Sequence, residues 1–290
     1  MSKPVIVVSP REKFSCAEQS LRSLYAQTKI DFRLVYIEAG GQEKHRDTLR
    51  TLQKEFGFEL VILEKFLYPN AARNLGLSRA RRYAPDWVVF VDNDVVFACG
   101  WLEELLRVGE QEDAAAVSPL VCQDAGEFRE VHAAGGLCRV EKGRLVEEIT
   151  AQGELTSEIS PEVVRTELFE FHCVLVRMYP ELQCDPNLLN TREHVDLSLE
   201  IRARGGRVYL ASRSQVAYLP TELNSLTDLI LYELRWSNLH KQTSLDYFAK
   251  KWGVDLASTN RRNINAPRRQ KVLQSLEPLL GPYVPDWSAA

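Results

Sequence analysis

No stretch of this 290-residue chain holds 18 consecutive apolar residues, which excludes a transmembrane helix. The start of the chain runs from Lys3 straight into the strand-like Val5–Ser9, without the apolar core or small-residue cleavage site of a secretory signal, so a cytoplasmic location is expected. Cysteine is sparse and scattered: Cys16, Cys99, Cys122, Cys138, Cys173 and Cys184 form neither a C-x-x-C pair nor a zinc-ligand spacing. Reduced thiols are expected. An excess of positive charge is also missing. With 36 Lys and Arg against 40 Asp and Glu, the formal net charge is −4, which argues against a surface committed to nucleic acid. Internal repeats and linker-like stretches are absent. What is present is ordinary globular usage, 45% hydrophobic and 26% charged. A chain of this length buries roughly three-quarters of its unfolded surface, so it needs neither disulfides nor a structural metal to fold.

The first half alternates strand and helix signals. Val5–Ser9, Arg33–Glu38, Glu59–Leu63, Asp86–Val91 and Ala114–Val121 read as short apolar strands. Between them Cys16–Gln27, Lys44–Phe56, Asn70–Tyr83 and Trp101–Gly109 carry apolar residues at helical spacing. Asp86–Val91 is almost wholly apolar, as expected of a strand buried on both faces. The alternation implies an α/β fold with a mostly parallel sheet flanked by helices. Gln123–Glu162 shows no clean period and reads as a hairpin and loops over one end of the sheet. Regular signals return at Phe169–Arg177 (strand), Glu193–Arg204 (helix) and Arg207–Leu210 (strand), and Ser225–Phe248 is helical. The expected organisation is a main domain over 1–220 with a C-terminal helical extension over 221–290.

The chemistry concentrates at the end of the strongest strand, where Val91 is followed by Asp92-Asn93-Asp94. Open α/β sheets bind ligands at the carboxyl ends of their strands. Two carboxylates spaced i, i+2 there suit a hard divalent cation, Mn²⁺ or Mg²⁺, completed by substrate phosphates. Asp and Asn also end strands for purely local reasons, so the motif alone leaves both readings open. Asn70-Ala71-Ala72-Arg73-Asn74-Leu75-Gly76 opens the preceding helix, and Arg73 there is either a bidentate diphosphate ligand or a solvated helix arginine, with Asn70 a ligand or an N-cap. Pro10-Arg11-Glu12 follows the first strand and Glu38 ends the second beside Gly40-Gly41; each is either a contact to a base or ribose or an ordinary polar loop. A second cluster, Glu193-His194-Val195-Asp196, crowds the start of a helix, either as favourable charge at a helix N-terminus or as a general base. His172, between Phe171 and Cys173, reads as a core histidine.

In this order the fragments resemble a family 2 glycosyltransferase of the GT-A type. Such chains begin with a short apolar strand and continue with an A-R-N-x-G helix, a strand ending in Asp-x-Asp, and a Glu-Asp-x-Asp-Leu-x-Leu-type helix followed by Gly. Here these stand as Val5–Pro10, Ala72–Gly76, Val88–Asp94 and Glu193–Gly206. The resemblance implies transfer of a sugar from a UDP-, GDP- or dTDP-sugar to a hydroxyl of a glycan, lipid-linked or small-molecule acceptor, with inversion. It implies that Asp92 touches the ribose or the metal and Asp94 holds the cation. Two departures stand out. Histidine, His194, occupies the position where the base aspartate is expected, leaving His194 and Asp196 as alternative bases. The stretch Val216–Pro220 lacks the metal-binding histidine often found after the last strand, so the third ligand is water or another group such as His240.

Two other classes remain. A nucleotidyltransferase also uses sheet-edge carboxylates, but its glycine-rich triphosphate loop is missing from Ser9–Lys13. A non-catalytic nucleotide- or sugar-binding module would tolerate the His194 departure. Finally, Lys250–Lys271 carries seven basic residues against Asp255 alone. That pattern is either a solvated tail or a peripheral contact with an anionic membrane, at the inner face.

Overall fold

The computed structural model describes residues 2–123, 127–219, 225–259 and 270. In chain order the elements are β1 (Val5–Ser9), α1 (Ala17–Gln27), β2 (Arg33–Ala39), α2 (Glu43–Phe56), β3 (Glu59–Leu63), α3 (Pro69–Ala80), β4 (Trp87–Asp92), β5 (Val95–Phe97), α4 (Trp101–Gln111) and β6 (Ala116–Cys122). There follow β7 (Val131–Ala133), β8 (Gly136–Glu141), β9 (Arg144–Ile149), β10 (Val163–Thr166), β11 (Cys173–Arg177), α5 (Glu193–Ala203), β12 (Val208–Tyr218), α6 (Leu229–Arg235), α7 (Asn238–Trp252) and α8 (Leu256–Thr259). Among the described residues no helix is long and apolar enough to cross a membrane.

The main sheet runs β10-β12-β6-β11-β4-β1-β2-β3, with β5 pairing β12 and β7 pairing β6. Strands β4, β1, β2 and β3 are mutually parallel, as are β6 and β12. β11 lies antiparallel between β4 and β6. The chain enters β11 from a hairpin excursion, without the crossover helix that a parallel neighbour needs. Both faces of the central strands are covered. Trp87, Val89 and Val91 of β4 join one core with Ile6 and Val8, while Val88 and Phe90 join the other with Val5 and Val7. That two-sided burial is why the strand reads as an unbroken apolar run.

The sequence periods locate most elements to within a few residues. β5 is hidden because three apolar residues directly after a polar turn carry no period. β12 is longer than its expected Arg207–Leu210 because Ser212, Arg213 and Ser214 interrupt the pattern at a register shift between Ala211 and Gln215. The stretch Gln123–Glu162 does contain a hairpin, β8 with β9. The helical stretch Ser225–Phe248 holds α6 and most of α7.

α3 begins at Pro69, a residue favoured at the first helical position, so Asn70 is inside the helix and is not its cap. Gly76 lets this helix lie on β1: a Cβ there would sit 2.2 Å from Cγ1 of Val7, which is itself fully buried and β-branched. Gly76→Ala is therefore expected to destabilise the fold by about 1–3 kcal/mol through overpacking, read from the midpoint of chemical denaturation.

The C-terminal helices pack back on the loop after β1, on α5 and on β9. Buried Asp228 accepts the backbone N–H groups of Phe14 (2.7 Å) and Ser15 (3.0 Å) and the Ser15 hydroxyl. Lys251 Nζ reaches Asp196 (2.7 Å), Glu200 (2.9 Å) and Asp185 (3.0 Å), tying α7 to α5. Of the basic stretch, Arg261, Arg262, Arg268, Arg269 and Lys271 lie outside the described residues.

Candidate active site

The turn after β4 is built by its middle residue. The Asn93 N–H donates to the Ser9 carbonyl (3.1 Å), its side-chain oxygen accepts the Arg11 N–H (3.1 Å) and its amide donates to the Lys13 carbonyl (2.6 Å). Asn93 thus fastens the loop after β1, carrying Pro10 and Glu12, against the strand end, and leaves the flanking carboxylates for other work. Asp92 and Asp94 are both almost wholly buried. Asp92 accepts from Arg73 (2.8 Å), whose guanidinium also donates to Asn70 (3.1 Å) and lies 3.9 Å over the Phe171 ring. Burial raises the Asp92 carboxyl above its ordinary value, with Arg73 and Arg11 pulling it back. Asp94 is pushed up much further, by burial and then by the neighbouring charges of Asp92 and Glu12, against Lys13 and Arg11. Its Oδ1 is buried and has no hydrogen-bond partner. A buried carboxylate with an idle oxygen beside a second carboxylate is stabilised by a cation, and the donor set fits one.

Around this pair lies a belt of buried ions. Arg11 donates to Glu193 at 2.6 Å. Burial alone would raise the Glu193 carboxyl, but Arg11 and Arg235 outweigh it and hold it down at about 2. Arg235, from α6, donates to the Asn190 carbonyl (2.6 Å) and lies 3.4 Å from Glu12. Burial and the nearby Arg11 bring Arg235 down to about 10. Glu38, fully buried, accepts the Gly41 N–H (2.5 Å) and pairs with Arg46 (3.2 Å). A Cβ on Gly41 would stand 2.3 Å from that carboxylate, so the Gly40-Gly41 turn and Glu38 are one structural unit.

At the start of α5, which follows a left-handed Arg192 (φ 68°), the two expected bases separate. Asp196 Oδ1 accepts from Trp252 Nε1 (2.8 Å) while its carboxylate pairs with Lys251. Burial raises this carboxyl and those two donors counter it. His194 is partly exposed, with Nε2 3.4 Å from Glu170. His240 is elsewhere occupied, 3.2 Å from the Tyr68 hydroxyl.

The histidine that meets the carboxylates is His172, not a residue of the core as its place between Phe171 and Cys173 suggests. One ligand atom from each of Asp92, Asp94 and His172 lies within 4.8 Å of the others. Strand order explains the oversight: β11 pairs antiparallel with β4, so the Asp92 N–H donates to the His172 carbonyl (3.2 Å), and no local pattern announces that pairing. Arg235 and Glu170 escape a reading of the sequence for a similar reason, being charged residues far from the motifs they join, and the pairing of Arg11 with Glu193 is as distant.

The sequence model of glycosyl transferase family 2 matches residues 5–155. No curated protein sequence matches significantly. Among solved structures, a crystal structure of GalNAc-T7 with UDP, GalNAc and Mn²⁺ is similar in fold, with a TM-score of 0.61 at 14% identity over 93% of this chain. The chain spans 53% of that protein's. That neighbour has a GT-A fold, as expected here from sequence. With more than half of its length matched and both Asp-x-Asp carboxylates inside the match, the chain belongs to glycosyl transferase family 2.

Proposed function

We propose that this protein transfers a sugar from a nucleotide-diphosphate-sugar to an acceptor hydroxyl, with inversion, using Mn²⁺ or Mg²⁺ held by Asp94 and Asp92. The observation that carries the reading is the idle, buried Asp94 oxygen beside Asp92 at the carboxyl edge of β4. A divalent cation bound there supplies charge neutralisation for the leaving diphosphate. Arg73 pairs with Asp92 and Asn70, so we assign it to aiming the first carboxylate. Pro10 and Glu12, on the loop clamped by Asn93, line the nucleoside side, and Glu38 supports that side from the β2 turn. We assign 1–220 to the transferase unit and 221–290 to a C-terminal extension, whose described helix α7 is tied to α5 through Lys251. A cytoplasmic location and a peripheral anionic surface for the acceptor belong to the same reading.

His194 is the better base. It is partly exposed and oriented by Glu170, whereas Asp196 already holds Lys251 and Trp252. His194→Ala is expected to lower kcat/KM by about 10²–10⁴-fold with little change in stability. Asp196→Asn is expected to act chiefly on stability by loosening α7 from α5. Kinetics and melting curves on the two variants separate these roles, and a mild His194→Ala beside a thermally intact but inactive Asp196→Asn would reverse them.

The decisive assay incubates the protein with UDP-, GDP- and dTDP-sugars and Mn²⁺ and measures free nucleoside diphosphate. UDP-sugars are the first choice, given the UDP and Mn²⁺ of the similar GalNAc-T7 structure. Release that stops with EDTA supports the reading. Tight binding of a donor without any release points instead to a binding module.

A further inference from the structure

On the reading that Asp94 and Asp92 hold a divalent cation, we propose that His172, the residue directly before β11, is the third protein ligand and that the site therefore prefers a transition-metal cation such as Mn²⁺ over Mg²⁺. At the end of the last long strand this chain has Tyr218, not a histidine. Tyr218 stacks flat on the His172 ring, with centroids 4.8 Å apart and 10° between planes. His132 meets both rings close to edge-on, at 5.3 Å and 4.9 Å. These two neighbours fix the plane of the imidazole. The backbone bond between Asp92 and His172 fixes its height relative to the first carboxylate.

Nδ1 of His172 lies 3.5 Å from Asp92 Oδ2 and has no hydrogen-bond partner. That gap is long for a hydrogen bond. Two donors bound at about 2.1–2.2 Å to one ion, with 90–109° between them, stand roughly 3.0–3.5 Å apart. The separation therefore matches two ligands sharing a cation. The idle Asp94 Oδ1 supplies the remaining corner, and all three side chains can offer an atom within 4.8 Å of the others. An imidazole nitrogen adds affinity for transition metals along the Irving–Williams series, whereas Mg²⁺ favours oxygen and keeps its waters.

The test needs no turnover. Purified protein is loaded with Mn²⁺ alone, and bound Mn²⁺ is examined by pulsed electron paramagnetic resonance with natural-abundance and ¹⁵N-histidine-labelled protein. The expected result is a ligand-nitrogen coupling that changes isotope pattern on labelling. It should disappear in His172→Asn and persist in His132→Phe. Mn²⁺ binding to His172→Asn should weaken by about tenfold or more, at least what loss of an outer-shell partner costs, and Mg²⁺ competition should weaken less. Bound Mn²⁺ with no histidine coupling in the wild type, or coupling that survives in His172→Asn, overturns the His172 assignment and leaves the Asp94 reading standing. No Mn²⁺ binding at all overturns both. The labelled wild-type measurement decides the question even if a variant fails to fold.

Discussion

Asp94→Asn is expected to lower nucleoside diphosphate release by about 10³-fold or more while making the protein harder to unfold. The first effect follows from removing the charge that holds the cation, whose stabilisation of a leaving diphosphate is worth several kcal/mol, at about 1.4 kcal/mol per tenfold in rate. The second follows from the cost of the native carboxylate. Burial and the adjacent Asp92 drive its pKa well upward, so at neutral pH the charged form opposes folding when no cation is bound. Asparagine keeps the shape and removes that charge. Melting curves in EDTA should therefore show the variant equal to or above the wild type, beside an assay in Mn²⁺ that shows almost no product. A variant that is inactive and also strongly destabilised would mean that Asp94 serves the fold and not the cation.

Glu193→Gln carries the largest expected loss of stability, about 3–5 kcal/mol. It removes the anion that faces the buried Arg11 guanidinium at 2.6 Å, with the half-buried Arg235 nearby, and breaking one side of a buried pair leaves charge without compensation. The wild type should show the same interaction as a pH dependence. The folded carboxyl is held at about 2 against an ordinary 4.5, so its contribution is fully present above the unfolded value and is lost as pH falls toward 2. At about 1.4 kcal/mol per unit that is on the order of 3 kcal/mol. Urea denaturation from pH 7 to pH 2 should reveal the decline, and Glu193→Gln should flatten it. An unchanged acid limb in the variant would assign the decline to other carboxylates.

Legibility in the sequence followed locality. The strand–helix alternation, the two-sided burial of β4 and the sheet-edge carboxylates Asp92 and Asp94 are local signals, and each stands where its period or motif put it. Gly76 of the A-R-N-x-G segment was visible as a motif, but its reason, contact with Val7, is a packing fact. Arg73 shows the limit from the other side: its position in the helix was plain, yet only the structure shows its guanidinium buried against Asp92 and Phe171. His172 was illegible because its meaning depends on β11 reversing direction beside β4. The partners of Glu193 and Asp196 likewise come from Arg11 and Lys251, at opposite ends of the chain. Pairings across that distance leave no periodicity to read.

The hold of Asp228 on Phe14 and Ser15 sets an order in time. The two ends of that bond are 214 residues apart, so at roughly 5–20 residues per second a ribosome needs about 10–40 s between them. The parallel strands β1 to β4 can pair long before then. Asn93 can hold one side of the loop bearing Arg11 and Lys13 by then, but the side at Phe14 and Ser15 stays unfastened until Asp228 is out, and Glu193 emerges only shortly before it. A nascent chain therefore passes through a stage with a formed sheet and an open, cationic loop. Chains released early would retain the Arg11 guanidinium without Glu193, the carboxylate that pairs it. Such fragments are candidates for chaperone capture and degradation, so the turn bearing Asp228 also acts as the checkpoint for the first loop made.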